Sequence, residues 1–281
     1  MPWVPIDHPR DPRIAPFVGL RDRELARRVA PGGRGVFIAE GDVVAERALR
    51  AGYEPLAVLV DASRRDPLPP GLDAGAPIYA AAPAVLQRIT GLGVHRGLLA
   101  CFERRPPRPA AEVLEAARRV VVLERVSNPT NLGVILRSAA GLGMDAVLLD
   151  PTCSDPLYRR TARVAMGEGY GFPWAWIPRL PGGLDVLRPH GFRLVALTPD
   201  DGAVPLDELA LDGADGGGVS RRDERVALLF GAEGPGLSPG TLAAADVRAG
   251  IPMRGGVDSL NVGVAAGIAF WVLGRGGLHP D

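Results

Sequence analysis

Short apolar runs alternate with stretches of helical periodicity in the first part of the chain. Apolar runs bounded by turn residues indicate strands, and apolar residues spaced three or four positions apart indicate helices. The predicted strands are residues 36–40, 56–60, 78–81 and 97–102. The predicted helices are residues 22–30, 42–51 and 83–89. Strands and helices in alternation are typical of a small α/β domain.

The composition changes at residues 104–109, which read Arg-Arg-Pro-Pro-Arg-Pro. Proline cannot continue a strand, and a run of this kind is typical of a short, stiff linker. We therefore place a domain boundary here, with one domain over residues 1–108 and a second over residues 109–281. A chain of 281 residues is long enough for two domains of this size.

All-apolar runs continue beyond the linker, and such runs are typical of strands buried on both faces of a parallel sheet. These predicted strands are residues 120–123, 147–149, 194–197, 226–230 and 247–251. Helical patterns separate them. The second domain is therefore predicted to be a larger α/β domain, a mostly parallel sheet flanked by helices. Residues 212–223, which include three consecutive glycines, are predicted to form a surface loop.

The composition excludes several kinds of chemistry. All 32 basic residues are arginine, whereas a Walker A phosphate loop and Schiff-base or pyridoxal phosphate chemistry each require a lysine. Cys101 and Cys153 are far apart and the four histidines are scattered, so we expect no disulfide framework and no metal site. We find no leader pattern and no apolar stretch of about 18 residues, so the expected location is the reducing cytoplasm.

Two short motifs have purely structural explanations. Residues 236–240, Gly-Leu-Ser-Pro-Gly, match the nucleophile elbow of hydrolases, but the proline lacks the N–H that the oxyanion hole of those enzymes uses. Ser238 is instead predicted to cap a helix. Residues 141–146 match a dinucleotide-binding fingerprint, but they follow a helix and precede a strand, which is the reverse of the required order. Gly141 or Gly143 is predicted to end that helix, which argues against a nicotinamide-dependent oxidoreductase.

Three other segments follow predicted buried strands, where α/β proteins place their ligands. The segments are residues 124–137, 228–238 and 251–268. In the first, a helix is predicted to start at or near Asn131, and Arg137 lies on it among apolar neighbours, where a buried arginine needs an anionic partner. In the second, Glu233 stands among glycines that let a ligand approach the backbone. In the third, Asp258 or Ser259 is predicted to cap a helix of small residues.

Together, and in this order, the three segments resemble the signature motifs of the SpoU/TrmH-type RNA ribose methyltransferases of the SPOUT class. The spacing Asn131-x-Gly133-x-x-x-Arg137 resembles the first motif. Residues 230–238, Phe-Gly-Ala-Glu-Gly-Pro-Gly-Leu-Ser, resemble the second. Residues 251–262, from Ile-Pro-Met to Ser-Leu-Asn-Val, resemble the third.

The resemblance extends over nearly the whole chain. It covers residues 119–281, where residues 163–167, Arg-Val-Ala-Met-Gly, are similar to the family's Arg-x-Ser-Met-Gly turn. Residues 37–60 resemble its L30e-like RNA-binding front domain. Two positions depart from the pattern, since Gly263 and Ala165 stand where serine is common. We expect these departures to affect packing and substrate choice more than activity.

The resemblance implies a deep trefoil knot in the second domain, S-adenosylmethionine as the cofactor, and transfer of a methyl group to a ribose 2′-hydroxyl of RNA. The residues that match the family's cofactor site, mainly through their backbone, are Leu197, Thr198, Gly231, Ile251, Met253 and Leu260. The residues that match its catalytic motif positions are Arg137, Asn131, Glu233, Ser259 and Asn261. A guanidinium is not deprotonated in proteins, so Arg137 is expected to bind a phosphate and stabilise the developing alkoxide rather than act as a base.

The implied partners are RNA and a second copy of the chain, through the knotted domain. Ribosomal RNA is favoured over transfer RNA because an L30e-like domain suits structured RNA. The candidate phosphate-binding arginines are Arg21, Arg23, Arg27, Arg28, Arg34, Arg64, Arg65, Arg104, Arg105 and Arg108. Phe37 and Tyr53 are candidates for base stacking. The alternatives are a tRNA 2′-O-methyltransferase and a non-catalytic RNA-binding protein of the same fold.

Overall fold

The structure of the protein is a computed structural model, which describes residues 3–20, 35–90, 97–200, 202–211, 224–254 and 258–274. The predicted helix at residues 22–30 and the predicted loop at residues 212–223 lie outside these ranges. The chain forms two compact units. The first contains Met1–Pro106 and Pro156–Gly171, and the second contains Pro107–Asp155 and Phe172–Asp281.

The strands and helices follow one another in the alternation that the sequence pattern predicts. In chain order the strands are β1 (Val4–Ile6), β2 (Val36–Glu40), β3 (Pro55–Asp61), β4 (Ile78–Ala81), β5 (Leu98–Glu103), β6 (Arg119–Leu123), β7 (Ala146–Leu149), β8 (Trp174–Trp176), β9 (Phe192–Leu197), β10 (Val204–Pro205), β11 (Arg225–Phe230) and β12 (Val247–Gly250). The α-helices of the described ranges are α1 (Asp42–Arg50), α2 (Pro83–Thr90), α3 (Ala110–Glu115), α4 (Pro129–Gly141), α5 (Arg159–Val164), α6 (Leu206–Leu211), α7 (Pro239–Ala244) and α8 (Val262–Gly274). Short 3-10 helices lie at Pro12–Phe17, Glu168–Tyr170, Gly182–Val186 and Arg188–His190.

The first unit is built on a mixed five-stranded sheet in the order β1-β4-β3-β5-β2. Strand β5 runs antiparallel to both β2 and β3, and the other neighbouring pairs are parallel. The four strands predicted in this region are all present. Strand β1 was not predicted, because three residues, of which one is a proline, give no periodic signal. The likeness of this unit to L30e stays a prediction.

The second unit is built on a seven-stranded sheet in the order β10-β12-β9-β11-β6-β7-β8, and all of its neighbouring pairs are parallel. This confirms the predicted fold class. Both faces are covered, as the all-apolar strands required. On one face Val120 and Val122 of β6 join a core with Leu114 of α3. On the other, Phe230 of β11 packs edge-on against Phe270 of α8, with ring centroids 5.8 Å apart. Strands β8 and β10 were missed because they are very short. The trefoil knot stays a prediction.

Helix α4 begins two residues earlier than predicted. The side chain of Asn128 accepts a hydrogen bond from the backbone N–H of Thr130 at 2.9 Å, so Asn128 is the cap and Pro129 is the first helical residue. The predicted cap of α7 is confirmed, since the Ser238 side chain accepts from the N–H of Thr241. Gly143 follows α4 with a φ of 78°, the left-handed conformation that ends helices.

Helices α4 and α8 lie against each other unusually closely at Gly263. A Cβ at this glycine would lie 2.8 Å from Cγ1 of Val134, which is too close for a real contact. The departure from the family's serine is therefore a packing feature of this chain, because Val134 occupies the space that a serine side chain would need. The other departure, Ala165, is fully buried.

Residues 156–171 follow β7 in the chain but belong to the first unit, although the sequence placed them in the second domain. Charged contacts hold them there. The buried carboxylate of Glu40 accepts from Nη1 of Arg159 at 2.6 Å and lies 3.5 Å from Nη1 of Arg163. Arg47 of α1 donates to the carbonyl oxygen of Met166 at 2.6 Å and pairs with Glu168 at 2.8 Å. These partners are more than a hundred residues apart, so no local pattern indicates them.

The two candidate base-stacking residues are part of the core of the first unit. Phe37 is 2% exposed and Tyr53 is 9% exposed. Their rings meet edge-on at 4.9 Å, and Phe37 also stacks on Phe102 at 5.4 Å. The prediction that they stack on RNA bases is therefore wrong, since neither ring presents a free face.

Two of the candidate phosphate-binding arginines already contact other residues of the first unit. The Arg64 side chain is 7% exposed and pairs with Asp42 at 2.9 Å. Arg105 donates to the carbonyl oxygens of Ala51 and Gly52 at the end of α1, and its guanidinium lies 4.8 Å from the Tyr53 ring centroid. Arg65 and Arg108 are exposed, and Arg104 is half-buried. The candidates Arg21, Arg23, Arg27, Arg28 and Arg34 lie outside the described ranges.

Candidate active site

A cavity of about 140 Å³ opens at the carboxyl ends of β9, β11 and β12. All six residues predicted for the cofactor site line it, namely Leu197, Thr198, Gly231, Ile251, Met253 and Leu260. Glu233 and Ser259, predicted as catalytic, also line it. Parallel strands bring these residues together because their carboxyl ends meet at the same edge of the sheet.

The loop after β11 folds back on itself, and this requires glycine at position 231. A Cβ there would lie 2.1 Å from the carbonyl carbon of Gly236 and 2.2 Å from the nitrogen of Leu237. Ala232 pairs with Gly236 in an isolated antiparallel bridge, and the Gly236 N–H donates to the Ala232 carbonyl at 3.0 Å. The loop is therefore a closed ring of backbone that forms one wall of the cavity.

Glu124 anchors the far end of this loop. Its carboxylate, which is 3% exposed, accepts from the backbone N–H of Ser238 at 2.9 Å. Its own N–H donates to the carbonyl of Phe230 at 2.9 Å. A carboxylate bonded to a backbone N–H makes a strong, charge-assisted contact. Sequence reasoning gave Glu124 no role, although an acidic residue directly after an all-apolar strand was a usable signal.

Asn261 joins the three motif segments. Its side-chain nitrogen donates to Oδ1 of Asn131 at 3.1 Å and to Oε1 of Glu233 at 2.5 Å. Its side-chain oxygen accepts from the N–H of Gly263 at 2.9 Å. Asn261 therefore caps α8, and the prediction that Asp258 or Ser259 caps this helix is wrong. Helix α8 therefore begins at Val262, later than a cap at Ser259 would place it. The Asn261 side chain both caps this helix and bridges Asn131 and Glu233.

We expect Asn261→Asp to lower the free energy of unfolding by about 1–2 kcal/mol, because it removes both donors and sets a carboxylate against Glu233. The helix cap survives in this variant. Urea unfolding at pH 7 measures the loss. Asn128→Asp, at a cap with no second partner among the described residues, is the matched control and is expected to change stability by less than about 0.5 kcal/mol. Equal losses in the two variants would contradict the bridging role of Asn261.

The structure does not bring Arg137 to the cavity of its own chain. Arg137 is exposed on α4 and has no hydrogen-bond or ion-pair partner among the described residues. The prediction that it is buried is therefore wrong. Six residues of helix place Arg137 about 9 Å along the axis from Asn131 and about 120° around it, so the two side chains leave the helix on different sides. The apolar neighbours that suggested burial face the sheet instead.

Groups of three or more histidine, cysteine, aspartate or glutamate side chains that could hold a metal ion are absent from the described part of the chain. Burial and the nearby Asp150 carboxylate raise the pKa of the Cys153 thiol far above its usual range, so this sulfur stays protonated and is not a nucleophile. Among the described helices, none has the length and apolar character needed to cross a membrane.

The cavity fits a nucleotide-like cofactor. Leu197, Ile251 and Leu260 offer apolar side chains to a flat base, and the glycine loop offers backbone N–H and C=O groups at close range. An all-parallel sheet with such a cavity at its carboxyl edge is typical of α/β proteins that bind a nucleotide-like cofactor.

Comparison with known proteins gives the family. Residues 118–271 match the model of the SpoU rRNA Methylase family. The chain is 43% identical to the uncharacterized tRNA/rRNA methyltransferase Rv0881 of Mycobacterium tuberculosis (strain ATCC 25618 / H37Rv), over 96% of this chain and 91% of that protein. It is 28% identical to the 23S rRNA (guanosine(2553)-2′-O)-methyltransferase RlmP of Bacillus subtilis (strain 168), over 84% of this chain and 88% of that protein.

A solved structure has the same fold over almost the full length. The AdoMet-bound rRNA methyltransferase from Sinorhizobium meliloti superposes with a TM-score of 0.78 at 24% identity, over 98% of both chains. The chain belongs to the SpoU methylase family and is an RNA methyltransferase. The family that the motifs implied is thereby confirmed, and the AdoMet bound in the Sinorhizobium meliloti structure agrees with the implied cofactor.

Proposed function

We propose that this protein transfers the methyl group of S-adenosylmethionine to the 2′-hydroxyl of a nucleotide in ribosomal RNA. The observation that carries the proposal is the Asn261 bridge, which holds Asn131 and Glu233 together at the edge of the cavity. The names of similar proteins support it, since RlmP is named for 2′-O-methylation of a guanosine in 23S rRNA. An RNA substrate of this kind also agrees with a cytoplasmic location.

The residues that would hold the cofactor are the six residues predicted for it, all of which line the cavity. Gly231, Ile251, Met253 and Leu260 would act mainly through their backbone, and Leu197 and Thr198 line the same cavity. When bound, the cofactor supplies a methyl group already activated on a sulfonium sulfur. The protein's own task is then to position the ribose and to stabilise charge that develops on its oxygen.

The polar cluster is suited to positioning the ribose. Asn261 fixes the side-chain oxygen of Asn131 and one carboxylate oxygen of Glu233. This leaves the side-chain nitrogen of Asn131 as a donor and the second oxygen of Glu233 as an acceptor for ribose hydroxyls. Ser259, exposed at the mouth of the cavity, adds a hydroxyl group. Donors and acceptors held in advance cost no reorganisation when the substrate binds.

Arg137 is proposed to bind the RNA phosphate next to the target ribose and to stabilise the developing alkoxide. Its guanidinium is exposed and has no partner among the described residues, so it is available to a phosphate without breaking a contact. Because a guanidinium keeps its protons, the hydroxyl proton leaves through the phosphate or through water.

A homodimer is proposed because Arg137 lies away from the cavity of its own chain. Helix α8 exposes Val264 (50%) and Trp271 (49%). Seven residues separate them, so they share one face of the helix. A second copy covering this face would bury the two apolar side chains and set Arg137 of one protomer near the cavity of its partner. The trefoil knot and an L30e-like RNA-binding role for the first unit belong to the same proposal.

The test is transfer of labelled methyl from S-adenosylmethionine to separately purified ribosomal and transfer RNA, followed by nucleoside mass spectrometry. We expect a 2′-O-methylnucleoside in ribosomal RNA. Arg137→Ala is expected to lower the rate at least about 100-fold, as for removal of a group that stabilises an oxyanion. Arg137→Lys, which keeps the charge but loses the fork, is expected to recover only part of the rate.

The other outcomes separate the alternatives. Product in transfer RNA alone would make the chain a tRNA methyltransferase. Cofactor binding without transfer to either RNA would favour a different RNA substrate. If the wild-type protein neither binds S-adenosylmethionine nor transfers a methyl group, a non-catalytic RNA-binding protein would be favoured. A full rate for Arg137→Lys would contradict the bidentate contact.

A further inference from the structure

Arg125, the second residue after β6, has an unusual backbone. Its φ is 59°, the left-handed region, and Met166 is the one other non-glycine residue of the described ranges with a positive φ. Arginine rarely adopts this conformation because its Cβ crowds the following carbonyl. Such a conformation persists only when neighbouring contacts hold it, and it is most common at functional sites.

Backbone contacts on both sides of Arg125 hold the turn. Its N–H donates to Oδ1 of Asp150 at 3.2 Å, and its carbonyl accepts from the N–H of Ser127 at 2.8 Å. Asp150, which is 1% exposed at the end of β7, also accepts from the N–H and the hydroxyl of Thr152 at 3.0 and 2.7 Å. The turn after β6 is therefore fixed to the end of the neighbouring strand.

This turn directs the Arg125 side chain to the glycine loop. Its Nη2 donates to the carbonyl oxygen of Gly236 at 3.1 Å. Its Nε is buried and has no hydrogen-bond partner in the described part of the chain, so the guanidinium is partly removed from water. A charged donor in such surroundings makes a stronger bond to a carbonyl than a neutral donor does.

The bonded carbonyl belongs to the part of the loop that closes against Gly231. The carbonyl group of Gly236 is what a Cβ at Gly231 would strike, and Gly236 itself lines the cavity. Glu124 already anchors the next part of the loop through Ser238. Glu124 and Arg125 thus hydrogen-bond to two nearby backbone groups of the same cavity wall. The Glu124 carboxylate accepts from Ser238, and the Arg125 guanidinium donates to Gly236.

We propose that Arg125 is a positioning residue that keeps the loop at residues 231–238 in the closed shape that binds S-adenosylmethionine. This rests on the proposed function only for the identity of the ligand. The left-handed backbone is retained at position 125 because it allows one residue to reach both Asp150 and Gly236. Holding the loop before the cofactor arrives removes an ordering cost from binding.

The test compares Arg125→Gly, Arg125→Ala and Arg125→Lys by calorimetric titration with S-adenosylmethionine and by urea unfolding, without RNA. Arg125→Gly removes the whole side chain, guanidinium included, and relieves the left-handed backbone, so it is expected to unfold at an unchanged or higher urea concentration. It is nevertheless expected to bind S-adenosylmethionine about tenfold more weakly, the factor that one charge-assisted hydrogen bond supports. Arg125→Lys is expected to recover part of the affinity.

Arg225→Ala is the matched control, because Arg225 is likewise an arginine that donates to backbone carbonyl groups. Its partners are His190 and Glu115, near the opposite end of β11. It is expected to bind the cofactor as the wild type does. The proposal would be overturned if Arg125→Gly bound S-adenosylmethionine as tightly as the wild type does. It would also be overturned if the loss of affinity followed the loss of stability in all variants.

Amide hydrogen exchange over residues 232–237 separates this inference from the proposed function. Faster exchange in Arg125→Gly than in the wild type is expected whether or not the wild type methylates RNA. Wild-type exchange rates in this variant would overturn the inference even if methyl transfer to ribosomal RNA is found.

Discussion

Replacing Gly231 with alanine is expected to abolish measurable binding of S-adenosylmethionine. The new Cβ would lie 2.1 Å from the carbonyl carbon of Gly236 and 2.2 Å from the nitrogen of Leu237. These are backbone atoms of a closed loop, so no side-chain rotation can relieve the overlap. The loop must open, and it forms the wall of the cavity along which the cofactor would lie.

The cost should appear in stability as well as in binding. Overpacking of a closely packed site commonly costs about 1–3 kcal/mol, and a clash with backbone belongs at the upper end of that range. Calorimetric titration and thermal unfolding with and without S-adenosylmethionine measure both quantities. The wild type is expected to gain thermal stability from the cofactor, and Gly231→Ala is expected to gain none.

Gly141→Ala is the matched control for this substitution. A Cβ at Gly141 meets no atom within 4 Å, and its φ is not in the left-handed region. The variant is expected to fold and to bind the cofactor as the wild type does. If Gly231→Ala retained affinity within about threefold of Gly141→Ala, the closed loop would not be the shape that binds the cofactor.

Glu40→Ala is expected to lower the free energy of unfolding of the first unit by about 3–5 kcal/mol, the cost of leaving a buried ion pair without one partner. Glu40 is 3% exposed and accepts from Arg159 at 2.6 Å, with Arg163 at 3.5 Å. Removing the carboxylate takes away the anion that lies 2.6 Å from the largely buried Arg159 guanidinium. Urea unfolding followed by the fluorescence of the tyrosines and tryptophans measures the change.

Glu46→Ala is the control for this second substitution. Glu46 pairs with Arg50 at 2.7 Å on the surface of α1, and both side chains are about half exposed or more. Exposed pairs of this kind contribute about 0.3–0.5 kcal/mol, so this variant is expected to be nearly as stable as the wild type. A loss in Glu40→Ala no larger than in Glu46→Ala would show that the Glu40 pair does not hold residues 156–171 in the first unit.

The site predictions that concern backbone atoms agree with the structure better than those that concern long side chains. Residues predicted to act through their backbone at strand ends, such as Gly231 and Ile251, line one cavity, because strand order fixes the position of the backbone. Arg137 does not, because a long side chain on a helix can leave it on any side, and only the packing of α4 decides which. Phe37 and Tyr53 were predicted to stack on RNA bases only because their rings are aromatic. In the structure the two rings pack against each other in the core of the first unit.

The sequence by itself determined the alternation of strands and helices, the parallel character of the second sheet and the family. Each of these depends on signals that are local in the chain: runs of apolar residues, turn residues at their ends, and three short motifs in a set order. Glu124 and Asn261 show the limit of such signals, since their partners are 114 and up to 130 residues away.

The tertiary structure alone decided which polar groups meet. It directed Arg125 to the glycine loop through a strained backbone, made Asn261 the link between three motifs, turned Arg137 to the surface and paired Glu40 with Arg159. Hydrogen bonds and ion pairs act over about 3 Å, so they form only after the hydrophobic core has fixed the positions of the strands and helices. No pattern along the chain encodes those distances.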